Sequence, residues 1–256
     1  MKKPIKDGKH PRIILWDTEV STAIVRGYGN KWDFRYVKEV RPQELMSYSW
    51  KELGSKTVHF VHMHEFKNQH DFVKSLADLL NSADITIAHN GINFDDKMAN
   101  TFFIRNGIDR PSPSKSIDTL RIARRKFKFP SNSLGDLGEY LGLGGKESVA
   151  YRELEDKFLE GNKKAIKAMK KYNDRDVTLL EAIYKKLLPY IDNHPNMGVY
   201  MREEGICAHC GSTNLNRRGE AYRVTGSVVQ WFCKDCKSWS YDRVATPETK
   251  PTLVGK

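Results

Sequence analysis

Ile13-Ile14-Leu15-Trp16-Asp17-Thr18-Glu19 is a run of four apolar residues leading into two carboxylates one residue apart. A continuous apolar run of this length suits a buried central strand, and it delivers Asp17 to the strand's C-terminal end. Alternate side chains of an extended chain project to one side, so Asp17 and Glu19 share a face. Carboxylates gathered in this way are costly unless cations neutralise them, which makes the stretch part of a candidate divalent-metal site. Two further acidic blocks stand at other places in the chain. Asn90-Gly91-Ile92-Asn93-Phe94-Asp95 follows the apolar segment 85–88, and Tyr172-Asn173-Asp174-Arg175-Asp176 opens a helical pattern. Tyr172 and Asp176 are four apart and therefore neighbours on one helix face, whereas Asp174, a competitor for the same role, falls off that face.

Working outward, residues 22–29, 32–40 and 56–63 carry β-branched and aromatic residues between turn signals and are expected to extend the sheet in a mostly antiparallel sense. From Asn68, a candidate N-cap, Phe72, Leu76, Leu79 and Leu80 fall on one helical face. Residues 85–88 predict another buried strand, and Met98, Phe102 and Phe103 a helix ending at Asn106-Gly107, which puts Asp95 at a strand-to-helix junction. Ser133 begins a short helix, and Asn162 caps a long one running to Pro189. Strands and helices mixed in this order predict an α/β fold, with a mixed central sheet flanked by helices. The expected divisions are a basic flexible arm over 1–11, the catalytic domain over 12–194, a linker over 195–203, a four-cysteine module over 204–243 and a disordered tail over 244–256.

Each acidic block alone is compatible with ordinary solvated surface. Taken together, their order, spacing and contexts resemble the DEDD superfamily of 3′→5′ exonucleases, also called DnaQ-like, whose fold is ribonuclease H-like. Tyr172-x-x-x-Asp176 resembles the DEDDy branch in particular. Ala88-His89-Asn90-Gly91 before Phe94-Asp95, Ile117-Asp118-Thr119-Leu120 before a basic stretch, and Tyr172-Asn173-x-x-Asp176-Val177 are similar to stand-alone phage and prophage DEDDy exonucleases. The resemblance implies that Asp17, Glu19, Asp95 and Asp176 hold two Mg²⁺ or Mn²⁺ ions and that Tyr172 orients the attacking water. The implied reaction is hydrolysis from a 3′ end to nucleoside 5′-monophosphates, on DNA in preference to RNA.

Other residues near the motifs have two readings each. His89 is a turn or hydrogen-bonding residue before it is a ligand; Asn90 could approach the terminal nucleotide or simply form the turn. Asp118 reads as a cap or turn acid before it is one that supports the site from behind. Arg121, Arg124, Arg125 and Lys126, beside Phe127 and Phe129, could track phosphates or be a solvated face.

All four cysteines lie in the last 50 residues, as Cys207-Ala208-His209-Cys210 and Cys233-Lys234-Asp235-Cys236 with 22 residues between the pairs. Two Cys-x-x-Cys turns predict one structural Zn²⁺ in a closed four-thiolate site, and the strand-like segments between them resemble a zinc ribbon. His209, between two cysteines, is not an expected ligand. Arg217, Arg218, Arg223 and Trp231, with Trp239 and Tyr241, combine charge with flat rings and suit a surface that helps to grip nucleic acid. A protein docking role for the ribbon is the competing reading.

The chain has 43 basic and 32 acidic residues and a formal charge of +11, which points to a polyanionic partner, nucleic acid before a membrane. No apolar stretch is long enough to span a bilayer, and the Met1-Lys2-Lys3-Pro4-Ile5-Lys6 start lacks a following apolar segment, so a cytoplasmic protein is expected, in the host cytoplasm if phage-encoded. Two other functions fit the same residues. One is a structure-selective endonuclease, and the other a non-catalytic module that binds nucleic acid or a replication or recombination protein.

Overall fold

The computed structural model describes residues 10–30, 33–145, 151–223 and 226–242. Most of the expected basic arm and all of the expected tail lie outside them. The described residues group into two compact units, the first built from 12–124 and 128–183, the second from 10–11, 125–127 and 184 onward.

The opening run forms β1 (Ile13–Val20), the middle strand of a five-stranded sheet. It pairs antiparallel with β4 (Leu45–Glu52) on one side and parallel with β6 (Ile85–Ala88) on the other. Outside these lie β5 (His59–His62), antiparallel to β4, and β7 (Lys115–Asp118), parallel to β6. The sheet is therefore mixed, in the order β5-β4-β1-β6-β7. Ile14 and Trp16 pack with Phe72, Val73 and Leu76 of α1 (Gln69–Ser82) and with Ala99, Phe102 and Phe103 of α2 (Asp95–Arg105). Met46 joins a second core with Leu154 and Phe158 of α5 (Tyr151–Leu159) and Ala165 and Met169 of α6 (Lys163–Leu187). Helices thus flank the sheet on both faces. Asn68 caps α1 by accepting from the Asp71 N–H at 2.8 Å, and Ser133 caps α4 (Leu134–Tyr140).

Three features differ from the expected elements. The segments around 22–29 and 32–40 do not extend the sheet: β2 (Ile24–Tyr28) and β3 (Arg35–Arg41) pair only with each other, as a separate two-stranded ribbon. The sheet takes β4 as its next strand instead, although its Ser47, Ser49 and Lys51 are polar. All three are buried, and α6 supplies partners for two of them: Lys51 forms an ion pair with Glu181, and the Ser47 hydroxyl lies 3.5 Å from Asn173 Oδ1. The stretch 111–130, where no element is expected from the sequence, holds β7 and α3 (Thr119–Lys126).

In the second unit, β8 (Leu215–Arg223), β9 (Gly226–Cys233) and β10 (Trp239–Tyr241) form an antiparallel sheet in the order β10-β9-β8. The stretch 195–203, expected to be a linker, contains α7 (Met197–Met201), which buries Met197 and Met201.

Candidate functional site

β1 outruns its partner β6: their pairing ends at Leu15 opposite Ile87, so the Asp17-Thr18-Glu19 stretch continues beyond it, still paired to β4. Thr18 uses this space to bind Asp95. Its N–H and its hydroxyl both donate to Asp95 Oδ1, at 3.0 and 2.6 Å. Asp95 is the first residue of α2 and is 2% exposed. Burial pushes its carboxyl up to about 6 against the lowering effect of the Thr18 hydrogen bonds.

The junction that delivers Asp95 is made by backbone geometry. Asn90 adopts φ +67, and its carbonyl accepts from the N–H groups of Asn93 and Phe94, at 3.1 and 2.9 Å. Asp118 accepts from the N–H groups of Asn90, Ile92, Leu120 and Arg121 at 3.0–3.2 Å, holding the loop and the start of α3 together. This is the capping reading of Asp118. His89 is 2.9 Å from both the Thr119 hydroxyl and the Asn132 carbonyl, and burial pushes its pKa down, so a neutral ring with both nitrogens engaged serves the turn.

α6 brings Tyr172 and Asp176 to the same end of the sheet. The Tyr172 hydroxyl hydrogen-bonds Asp176, and Glu19 and Asp17 are close enough to act on it electrostatically; burial, followed by these three carboxylates, drives its pKa upward. The phenol therefore stays protonated and works as a hydrogen-bond donor. Asp174 faces elsewhere and pairs with Lys170 at 2.5 Å, as expected for a residue off the shared face.

Two residues not singled out from sequence complete the surroundings of Glu19. Tyr151, on α5, donates its hydroxyl to Glu19 Oε2, and the Asn173 side-chain amide donates to Glu19 Oε1 at 3.3 Å. Tyr151 also meets the Tyr172 ring edge-on at 6.4 Å between centroids. Asn173 was quoted only as part of a motif, and its full burial is a tertiary property. Tyr151 carries no local signal at all.

Arg121, Arg124, Arg125 and Lys126 are all exposed, and Arg125 and Lys126 also pair with Asp192, at 2.8 Å in the case of Arg125.

In the cysteine module Cys207 Sγ lies 3.5 Å from Cys236 Sγ and Cys210 Sγ 3.7 Å from Cys233 Sγ, and the ligand atoms of all four are within 4.8 Å of one another. These separations are too long for disulfides and close to the ~3.8 Å edge of a tetrahedron with metal–sulfur bonds of ~2.3 Å. The two turns repeat each other. Gly211 and Lys237, each four residues after the first cysteine of its pair, have φ +78 and +64. Their N–H groups donate to the carbonyls of Cys207 and Cys233 at 2.9 and 3.0 Å. His209 Nε2 is 2.9 Å from the Ile191 carbonyl. Arg217, Arg218 and Arg223 are exposed, and the Trp231 ring N–H donates to Asp242 at 2.8 Å.

Comparison with known proteins places this geometry. A family model described as the RNase_H superfamily matches residues 44–188, more than half of the chain. The chain belongs to the RNase H superfamily. The matched span contains Asp95, Tyr172 and Asp176, while Asp17 and Glu19 precede it and enter the superfamily sheet through the pairing of β1 with β4 and β6. A DNA polymerase III of the PolC type from Ureaplasma parvum serovar 3 is 34% identical over 105 residues, which is 40% of this chain and 7% of that protein. The chain thus spans a small part of that relative. The family B DNA polymerase of the archaeon Pyrobaculum calidifontis shares the fold, with a TM-score of 0.52 at 14% identity over 83% of this chain and 31% of the polymerase. RNase H-like nucleases use divalent metals, so membership supports a metal-dependent nuclease, and the hard carboxylate oxygens gathered here are the donor type such metals take. Among the described residues no helix is long and apolar enough to cross a membrane.

Proposed function

We propose that this RNase H-superfamily chain is a divalent-metal-dependent 3′→5′ exonuclease of the DEDDy type, releasing nucleoside 5′-monophosphates from a nucleic-acid end, with DNA preferred to RNA. One observation carries the reading: Tyr172 lies within reach of Asp176, Glu19 and Asp17 together, while Asp95 is bonded to Thr18, between two of them in sequence. Asp17, Glu19, Asp95 and Asp176 would hold the Mg²⁺ or Mn²⁺ ions. When bound, these supply the positive charge that activates a water and stabilises the leaving oxygen. The protein's own part is positional. Tyr172, whose hydroxyl hydrogen goes to Asp176, would orient the water by accepting a hydrogen bond from it, and Tyr151 and Asn173 fix both oxygens of Glu19. Asn90, Arg121, Arg124, Arg125 and Lys126 are proposed to contact the substrate, as are Arg217, Arg218, Arg223 and Trp231 of the ribbon. One Zn²⁺ on Cys207, Cys210, Cys233 and Cys236 would be structural, and the polymerase likeness makes a replication or recombination protein a candidate partner.

The test uses matched 5′-labelled DNA and RNA, single- and double-stranded, with Mg²⁺ or Mn²⁺. Linear strands should shorten one nucleotide at a time from the 3′ end, DNA faster than RNA, and a closed circular single strand should survive. Cutting of the circle would move the assignment to an endonuclease; saturable binding without hydrolysis in any divalent metal would move it to a binding module.

A further inference from the structure

The β2–β3 ribbon leaves the structure with more exposed apolar surface than any other element. Ile24, Val25, Tyr28, Phe34, Tyr36, Val37 and Val40 are seven of the fifteen large apolar side chains exposed among the described residues, and Tyr28 is 76% exposed. A two-stranded ribbon outside any larger sheet is marginal in water, and an apolar surface of this kind marks a contact site.

Its charge says what it contacts. Residues 24–41 contain five basic side chains against two acidic ones. The register is shifted twice, between Ile24 and Val25 and between Arg26 and Gly27, each time passing one extra residue of β3. These bulges bring Arg41, Lys38 and Arg35, spaced three apart, opposite Ile24, Arg26 and Tyr28, spaced two apart. Alternate residues of β2 share a face with their cross-strand partners, so one face carries Arg26, Arg35, Lys38 and Arg41 beside the Tyr28 ring. Arg26 directly opposite Lys38 is a repulsive pairing unless an anion lies between them.

The root of the ribbon is fixed to the candidate active site. It starts five residues after Glu19 and returns into β4, where Ser47 is the partner of Glu19. Glu155, 2% exposed, accepts from the N–H and hydroxyl of Thr22 at 2.7 and 2.9 Å and lies 4.0 Å from Arg41, so it ties both legs to α5. One helical turn earlier, Tyr151 of the same helix holds Glu19.

We infer that the cationic face of the 24–41 ribbon is a binding surface for single-stranded nucleic acid, with Arg26, Arg35 and Lys38 on successive phosphates and Tyr28 stacking on an unpaired base. A single strand is the occupant because it alone offers closely spaced anions together with free base faces. The inference rests on the nuclease reading for the identity of the polyanion.

Binding of a 5′-fluorescein 20-nucleotide single strand to the full chain is measured by anisotropy in EDTA, so that no chemistry occurs. Tyr28→Ala should raise Kd about tenfold. Arg26→Gln with Arg35→Gln and Lys38→Gln should weaken binding more and lower the slope of log Kd against log salt by about 2. The p-nitrophenyl ester of thymidine 5′-monophosphate, too small to reach the ribbon, should be hydrolysed by the variants at the wild-type rate. Circular dichroism checks folding, and Tyr28→Leu, which keeps an apolar strand residue but removes the ring, replaces Tyr28→Ala if that variant is unfolded. Kd values within twofold of wild type for both the tyrosine and the cation variants would overturn the inference. So would variants that change only a self-association seen by light scattering, which would make the ribbon a contact between copies. A wild-type chain that hydrolyses neither ester nor strand but binds with the ribbon dependence described would instead overturn the nuclease reading alone.

Discussion

Glu19 shows how a carboxylate is held in a fixed orientation. With Tyr151 on one oxygen and Asn173 on the other, it has little freedom to rotate, and a hydrogen bond to a charged group contributes about 1.5–3 kcal/mol. Tyr151→Phe should therefore lower kcat about 10- to 100-fold with KM nearly unchanged, whereas a purely structural loss would lower the melting temperature and leave the remaining folded enzyme at full rate. The two kinds of residue differ in legibility. Asp17, Glu19, Asp95, Tyr172 and Asp176 stand out because each sits in a short pattern whose spacing has a meaning on a strand or a helix. Tyr151 reaches Glu19 across 132 residues, and nothing in its immediate neighbours marks it. His89 is legible only as a turn residue, and its environment adds a pH dependence. Its folded pKa lies below the ordinary 6.5, so below that pH the unfolded chain binds a proton that the folded ring refuses, and stability present above 6.5 is lost on acidification. Asp95, pushed up from 3.8 to about 6, acts in the opposite sense, because its folded state keeps a proton between those values. His89→Gln should accordingly flatten the fall in melting temperature between pH 7 and pH 5 relative to wild type; an unchanged slope would place the ring's titration elsewhere.

At the scale of elements, the site depends on a junction and on one helix. Gly91 makes the β6–α2 junction possible, since a Cβ there would lie 2.5 Å from the Ala88 Cβ. Gly91→Ala should cost about 1–3 kcal/mol by overpacking and, by displacing the start of α2, reduce activity by more than the stability change accounts for; parallel denaturant and activity titrations separate the two. α6 is held against β4 by the buried Lys51–Glu181 pair, with the Gly54 N–H also donating to Glu181 at 2.9 Å. Glu181→Ala leaves Lys51 charged without its partner and should destabilise the first unit by about 3–5 kcal/mol in urea unfolding. α1, β6 and α2 were legible because each shows one period with a cap at a boundary. β4 was not, because its Ser47 and Lys51 are buried against partners on α6 that lie far away in sequence. The ribbon was legible as two strands but not as a separate sheet, since its β-branched and aromatic residues are the same whether a sheet or a ligand covers them.

For the whole molecule, the four cysteines and the four acids would, on the proposed function, hold different metals by donor type. Thiolates 3.5 and 3.7 Å apart across a pair of matching turns suit a closed zinc site, and on this proposal a small three-stranded sheet with little core would depend on it for its fold. Cys233→Ser should release zinc in a chromogenic chelator assay and unfold the second unit, while hydrolysis of the small thymidine ester by the first unit continues. Retained zinc at one equivalent would contradict the four-thiolate assignment. The RNase H-like architecture was legible from the order of strands and acids, whereas the pairing of Arg125 and Lys126 with Asp192 was not, because it is set by the fold.

The decisive experiment is a time course with a 5′-labelled DNA strand in Mg²⁺, comparing the wild-type chain with Asp17→Ala and Asp176→Ala at equal folded concentration. A ladder shortening from the 3′ end with the wild type, and an intact strand with both variants, is the expected outcome. Equal degradation by wild type and variants, or none by the wild type in either Mg²⁺ or Mn²⁺, would mean that the acids around Tyr172 are not a nuclease centre.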